Sequence, residues 1–351
     1  MTALLEVRDL KVRYRGRGGL GDWLRRRPPP WVHAVNGVDL DIEPGEIVGL
    51  VGESGCGKSS LGRALLRLTP TSGGSLRFGG QDLMGLEGEA LMRFRRRAQM
   101  VFQDPLASLN PRRTVSETLS EVLRVHRLCP EPQIRARVLE LMDRVGLAAS
   151  LADRSSRSLS GGQCQRVGIA RALAMGADFI VADEPVSALD VSIQAQILNL
   201  LVRLQRERNL TILFISHDLG VIRYLCRRVV VMYLGCVVEE GPVEAVFARP
   251  QHPYTQSLID AIPRMAPDAR LGASALTGEP PSPQARPAGC AFHPRCPRVM
   301  PQCRTGETPP PRTADGRRVW CHLYADPAAP EGSRASEPGA PQQSSIEMAS
   351  D

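Results

Sequence analysis

Lysine is almost missing from this chain. Of its 44 basic residues only Lys11 and Lys58 are lysines, and arginine carries the rest of a net charge of +7. Lys58 therefore does not belong to a general lysine background and needs a local reason. Aromatic residues make up 4% of the chain, and they are nowhere interleaved with basic residues as on single-strand-binding surfaces. That argues against nucleic acid as a partner, and the arginines read as a solvated face. No run of eighteen apolar residues occurs, so no transmembrane helix is predicted. Met1 to Lys11 alternates like a strand and lacks the apolar stretch of a signal peptide, so a cytoplasmic protein is expected. The C-x2-C pairs of a zinc ribbon are absent too, although there are nine cysteines.

What is present is an ordinary soluble composition, 42% hydrophobic and 23% charged, over 351 residues. That length can bury a full core and accommodates more than one domain. The chain is organised around Gly52-Glu53-Ser54-Gly55-Cys56-Gly57-Lys58-Ser59, a G-x-x-x-x-G-K-[ST] phosphate-binding loop followed by Ser60. Ile47–Val51 before it reads as a strand buried on both faces. Leu61, Ala64, Leu65 and Leu68 after it recur with helical period. Strand, glycine loop and helix start together aim backbone N–H groups and the helix dipole at an anion. Lys58 would meet the β- and γ-phosphates, and the Ser59 hydroxyl would ligate Mg²⁺.

Strands are predicted at Leu4–Tyr14, Val32–Ile42, Leu76–Phe78, Gln99 to about Pro105, Phe179–Glu184, Thr211–Ser216 and Val229–Tyr233, with a loop excursion over 15–31. Thr114 and Glu117 have capping-box spacing ahead of Val115, Leu119, Val122 and Leu123. A second helix carries Ile134, Val138, Leu141 and Val145, so about 104–160 is an all-helical insert. Arg93 to Arg97 reads as a solvated helix end. Leu159-Ser160-Gly161-Gly162-Gln163 is a second glycine turn, ahead of a helix over Cys164–Met175, and Ser192–Arg208 is a long helix. Alternating strands and helices imply an α/β fold with a mainly parallel sheet. After Gly241 proline rises and the chain becomes coil-rich, and 326–351 reads as a disordered tail.

Asp183 ends an apolar strand, at the edge where open α/β sheets bind ligands, and would hold Mg²⁺ through water or through Ser59. Glu184 beside it is placed to take a proton from an attacking water. His217, at another strand end, would support Glu184 or touch a γ-phosphate, and Gln103 would reach the metal or the water. The glycine turn at Ser160 is a second anion site at a helix start. Two such sites far apart in one chain imply that two chains share nucleotides.

In this order the phosphate loop, Gln103, Leu159 to Gln163, Phe179 to Glu184, Ser187-Ala188-Leu189-Asp190 and His217 resemble the ATP-binding-cassette ATPases. The resemblance covers residues 1 to about 325. It implies a RecA-like P-loop ATPase core (1–245) with an antiparallel β subdomain and an inserted α-helical subdomain. It also implies a head-to-tail dimer in which Lys58 of one chain and Ser160, Gly161 and Gly162 of the other enclose ATP. Tyr14 would stack on adenine, Gln103 would couple to membrane subunits, and Asp190 would lie at the dimer interface. Glu184 would be the base and His217 the switch. Cys164, after the glycine turn, stands where a basic residue is common. Val101 to Pro105, Ser108 to Arg112, His252-Pro253-Tyr254-Thr255 and Gly289-Cys290-Ala291-Phe292-His293-Pro294-Arg295-Cys296 are similar to the ATPases of dipeptide and oligopeptide importers. The resemblance is to the second ATPase type of such importers, with a cysteine-rich C-terminal extension over 246–325. It implies a translocase subunit peripheral to the cytoplasmic face of the inner membrane. Its expected partners are two transmembrane permeases, a second ATPase and a peptide-binding protein. A non-transport role in translation or iron–sulfur assembly is the alternative; relatives of those kinds carry two cassettes or a coiled-coil insertion, or end soon after the cassette.

Cys290, Cys296, Cys303 and Cys321 are spaced C-x5-C-x6-C-x17-C. Four thiolates in a proline-stiffened coil can hold a [4Fe–4S] cluster or zinc, with His293 and His322 as alternative zinc ligands, or remain free thiols. The resemblance favours the iron–sulfur cluster, in a structural role.

Overall fold

In the structure, a computed structural model that describes residues 3–16, 30–262, 278–306 and 308–324, strand β3 (Ile47–Val51) is buried along its whole length. Its side chains alternate between two cores, with Val48 and Leu50 in one and Ile47 and Val51 in the other. The same alternation runs through β7 (Phe179–Asp183) and β8 (Thr211–Ile215), as expected of a sheet covered on both faces. β3 lies parallel between β8 and β9 (Arg228–Tyr233), and β7 and β6 (Ala98–Val101) continue the parallel run beyond β8. The strand predicted over Gln99 to Pro105 thus ends at Val101.

A second, antiparallel sheet has the order β2-β1-β4-β5, from β1 (Leu5–Arg15), β2 (Trp31–Ile42), β4 (Gly73–Phe78) and β5 (Gln81–Asp82). Helix α1 (Lys58–Leu65) buries Leu61, Ala64 and Leu65 in the core it shares with this sheet. It stops at Leu65, so Leu68, expected on the same face, is 47% exposed. The excursion predicted over 15–31 falls mostly on 17–29, and the predicted tail on 326–351, both outside the described residues.

Helix α2 (Gly88–Arg97) ends in the basic run, as predicted, although the sequence reading did not place its start. Its Arg95 and Arg97 are engaged by the Arg67 carbonyl and by Asp178. The predicted insert consists of helix α3 (Val115–Val125), helix α4 (Ile134–Arg144) and short turns. The capping box forms: Glu117 N–H donates to Thr114 Oγ1 at 3.1 Å, and Thr114 N–H to Glu117 Oε2 at 2.8 Å. Helices α5 (Gly161–Ala174), α6 (Val191–Arg208), α7 (Leu219–Leu225), α8 (Val243–Ala248), α9 (Pro253–Asp260) and α10 (Pro301–Arg304) complete the described set.

The C-terminal region is less coil-like than its composition predicts. β10 (Cys236–Pro242) turns back on β9, and a hairpin of β11 (Arg312–Ala314) and β12 (Arg317–Val319) adds to β10. The large sheet therefore has eight strands in the order β11-β12-β10-β9-β3-β8-β7-β6. The hairpin turn is Asp315-Gly316, with φ of 52° and 70°, the left-handed pair a two-residue turn needs. That Asp-Gly signal was legible in the sequence. The pairing onto β10 was not, because Arg318 finds its partner, Glu240 at 2.7 Å, only in the folded chain.

α9 is docked by buried polar groups. Glu239 accepts the N–H groups of Gln251 and His252, both at 2.9 Å, and His252 Nδ1 accepts the Tyr254 N–H at 3.0 Å as the helix N-cap. His252 is fully buried, and that burial holds its pKa down to about 3. In the unfolded chain it titrates near 6.5, so its contribution is intact above pH ~6.5 and is lost as pH falls from there toward 3. At pH 5 the loss is about 2 kcal/mol at ~1.4 kcal/mol per unit. Burial raises the pKa of Glu239, which acts in the opposite sense, so the informative quantity is a difference between variants. His252→Asn, which keeps an N-cap acceptor without titrating, is expected to remove most of the stability loss between pH 7 and pH 5 in urea unfolding. Identical pH profiles for the two proteins would refute this account.

Candidate nucleotide-binding and hydrolytic site

The loop 52–59 leaves the C-terminal end of β3 and enters α1. Gly57, with φ of 108°, is the N-cap of α1, and a Cβ there would lie 2.1 Å from the Ala34 carbonyl oxygen of β2. Only glycine allows both the dihedral and the approach. The same approach brings the antiparallel sheet to the loop's flank: Tyr14, half-buried at the end of β1, pairs with Val32, two residues from Ala34.

Lys58 is 5% exposed. Its Nζ donates to the carbonyls of Gly52 at 2.7 Å and Glu53 at 3.0 Å and lies 3.8 Å from Cys56 Sγ. None of the ion pairs among the described residues includes it. A buried cation held by carbonyls alone is an uncompensated charge, which an anion entering the loop would neutralise.

Ser59 Oγ donates to Asp183 Oδ1 at 2.8 Å, joining the loop to the end of β7. Burial pushes the Asp183 carboxyl up, opposed by the Ser59 hydrogen bond and by Arg63 and Lys58. A hydroxyl and a buried carboxylate beside a phosphate site suit Mg²⁺, whose octahedral shell takes few protein ligands. Glu184 follows with φ of 45°, a left-handed conformation that a side chain adopts at a cost. Its N–H donates to the Ile215 carbonyl at 3.0 Å and its carbonyl accepts from Ser187, which fixes the turn. One carboxylate oxygen, Oε2, then lies 3.0 Å from Gln103 Nε2 and 3.1 Å from His217 Nδ1. Glu184, His217 and Gln103, each predicted to serve hydrolysis, therefore converge from the ends of three strands. Gln103 enters through Glu184, with no hydrogen bond to Ser59 or Asp183 among those described.

The second glycine turn differs from its prediction. Gly161, Gly162 and Gln163 are the first turn of α5 rather than a lead-in, and exposed Ser160 is the N-cap. Gln163 N–H donates to Ser160 Oγ at 3.3 Å and Ser160 N–H to Gln163 Oε1 at 2.9 Å. A Cβ on Gly162 would lie 2.3 Å from Ile193 Cγ2 of α6, so α5 and α6 pack at glycine distance. No hydrogen bond among the described residues joins this turn to the phosphate loop of the same chain. Asp190 is the N-cap of α6 and its side chain caps nothing. It is exposed, and Val191 beside it is 82% exposed.

All nine cysteines are free. Cys290 N–H donates to the Cys303 carbonyl at 3.0 Å. Burial, and behind it the three neighbouring thiols, pushes Cys321 up to about 11, and burial likewise raises Cys290 and Cys296. Among the described residues no group of three or more His, Cys, Asp and Glu side chains converges on a single metal ion. His293 Nδ1 lies 3.0 Å from the Cys290 carbonyl instead.

Sequence reasoning quoted Tyr254 and Arg295 as motif residues but gave them no place in the site. Tyr254 Oη accepts the Glu53 N–H at 2.9 Å, and Arg295 grips the Glu53 carboxylate at 2.7 and 3.0 Å. The only signal was the Glu53 acid inside a glycine loop, which does not name a partner.

A family model for the ABC transporter matches residues 35–187, and one for the oligopeptide/dipeptide transporter C-terminal region matches 238–303. A probable peptide ABC transporter ATP-binding protein of Sinorhizobium fredii is 46% identical over 327 residues, spanning 93% of this chain and 92% of that protein. The oligopeptide transport ATP-binding protein OppF of Salmonella typhimurium is 46% identical, spanning 92% of this chain and 97% of that protein. Among solved structures, cbiO1 of Clostridium perfringens superposes with a TM-score of 0.60 at 30% identity, over 71% of this chain and 92% of that one. An ATP-binding cassette solved as a dimer in a post-hydrolysis state with ADP and Pi superposes with a TM-score of 0.59 at 29% identity, over 68% of this chain and 98% of that one.

Proposed function

The chain belongs to the ABC transporter ATPases of the oligopeptide and dipeptide transporter type, and from that membership we propose that it binds and hydrolyses ATP to drive import of dipeptides or oligopeptides. The observation that carries the hydrolytic reading is the Glu184 carboxylate, held by Gln103 and His217 next to the Ser59–Asp183 pair. The loop N–H groups and Lys58 bind the β- and γ-phosphates, Ser59 and Asp183 hold Mg²⁺, and Glu184 takes the proton of the attacking water. Bound Mg²⁺ supplies charge neutralisation at the phosphates. His217 and Gln103 orient Glu184.

Peptide as cargo is supported by the match over 238–303 and by the relatives' names. The non-transport alternative gains nothing from these matches. Two chains per active unit are supported by the exposed Ser160 turn, by Asp190 and Val191 at the surface, and by the related cassette solved as a dimer. The second chain is read as a distinct ATPase of the same type. Two permeases complete the assembly at the cytoplasmic face of the inner membrane, with a peptide-binding protein acting outside. No described helix is long and apolar enough to cross a membrane. Co-expression with candidate permease subunits, reconstitution in vesicles and measurement of ATP-dependent peptide uptake test this reading. Uptake without this subunit, or co-purification with ribosomes instead of permeases, would overturn it.

The four C-terminal cysteines are read as ligands of a [4Fe–4S] cluster. Support comes from the likeness of the Gly289–Cys296 segment to the ATPases of dipeptide and oligopeptide importers and from Cys321 lying among the thiols of Cys290, Cys296 and Cys303. Anaerobically purified protein is expected to carry iron and acid-labile sulfide that Cys290→Ser combined with Cys303→Ser removes. Iron-free wild-type protein with an unchanged melting temperature would show the thiols to be unliganded.

A further inference from the structure

The C-terminal extension reaches into the phosphate loop at one residue, Glu53, and engages it twice. Tyr254 Oη accepts its N–H at 2.9 Å, and the Arg295 guanidinium holds its carboxylate through Nη1 at 2.7 Å and Nη2 at 3.0 Å. The third polar group, the Glu53 carbonyl, is one of the two that Lys58 Nζ grips, at 3.0 Å. Every hydrogen-bonding group of Glu53 is thus committed, two to the extension and one to the phosphate-binding lysine.

The grip is built to be rigid. The Arg295 side chain is 5% exposed, although it carries a full charge. It ends a 3₁₀ turn (His293–Arg295) held by His293 N–H to the Cys290 carbonyl and Arg295 N–H to the Phe292 carbonyl, both at 3.0 Å. Phe292 packs on Tyr233 and Tyr254 with ring centroids 5.2 and 5.4 Å apart, and Tyr233 lies against Tyr254 at 4.7 Å. One aromatic cluster therefore carries both the arginine and the tyrosine that hold the loop. A bidentate guanidinium–carboxylate pair fixes orientation as well as distance.

Loop orientation matters because the remaining loop N–H groups must converge on phosphate oxygens, and Lys58 must leave the Gly52 and Glu53 carbonyls to meet them. We propose that Arg295 is a positioning residue for the phosphate loop: with Tyr254 it holds Glu53 so that nucleotide affinity depends on the folded C-terminal extension. The extension thereby acts on this chain's own ATP site, which separates it from a mere anchoring segment. The inference rests on the reading of the loop as an ATP site.

The test uses the full-length chain and equilibrium binding of trinitrophenyl-ATP, alongside thermal melts at each binding temperature. Arg295→Gln is expected to weaken binding roughly tenfold while the protein stays folded, the scale of losing one charge-assisted grip. Arg295→Lys, which keeps the charge but loses the fork, is expected to recover part of the affinity. Glu53→Gln with Arg295→Gln is expected to be no weaker than Arg295→Gln alone, because the two groups act as one. Arg318→Gln removes a Glu240 pair of the extension that makes no contact with Glu53, should leave the extension folded, and is expected to bind as wild type. The proposal fails if Arg295→Gln binds as wild type, if Arg318→Gln is weakened equally, or if the Glu53 and Arg295 effects add. Lys58→Met is the separate control: retained binding there would overturn the ATP-site reading itself, whatever Arg295 does.

Discussion

Glu184→Gln is expected to lower ATP turnover by about 10³-fold while ATP binding persists, because a correctly placed general base contributes on the order of 10²–10⁴. The substitution is nearly isosteric, and the left-handed turn at Glu184 is set by backbone hydrogen bonds to Ile215 and Ser187, so the local fold should hold. What is removed is the basicity of the carboxylate on which Gln103 and His217 converge. Closed, ATP-loaded dimers should therefore accumulate, measurable as nucleotide retained after gel filtration with transport arrested. Turnover within a few-fold of wild type in the assembled transporter would place the base elsewhere. His217→Ala should be milder, because it disturbs Glu184 without removing the acceptor.

The second large effect has two opposite signs. Lys58→Met is expected to weaken nucleotide binding on the order of a hundredfold, since charge-assisted contacts to two phosphates are lost. The nucleotide-free protein is expected to be at least as stable as wild type, because a 5%-exposed cation with carbonyls for company carries a desolvation cost that methionine lacks. Wild-type protein at a hundred times its dissociation constant gains about 2.7 kcal/mol from ATP. The variant should gain almost nothing. Differential scanning calorimetry with and without nucleotide reads both signs at once. A variant that is less stable without nucleotide yet still stabilised by it would contradict the assignment of Lys58 as the phosphate cation.

The hydrolytic centre was unusually legible because its chemistry is written locally. A strand buried on both faces followed by a glycine loop aims its backbone at an anion, and Asp183 and Glu184 follow an apolar run, Phe179 to Ala182, of buried-strand length. The capping box at Thr114 formed for the same reason, since both of its partners lie within one turn. Leu68 was misassigned because helical period says which face a residue would take and not where the helix stops. The signature turn was shifted by a similar margin: Ser160 caps α5, and the glycines after it are helical.

By itself the sequence determined the order of the main elements around the phosphate loop, the residues proposed to handle phosphate, metal and proton, and the family. All of these depend on residues near one another in the chain or on a motif order that few folds share. Tertiary structure alone decided that Gln103 and His217 meet on a single oxygen of Glu184, that the β11–β12 hairpin completes the sheet, and that Arg295 holds Glu53 across 242 positions of sequence. These contacts join side chains whose spacing carries no period. An arginine's charge says that it needs a carboxylate, but only the packing of Phe292 against Tyr233 and Tyr254 selects which one.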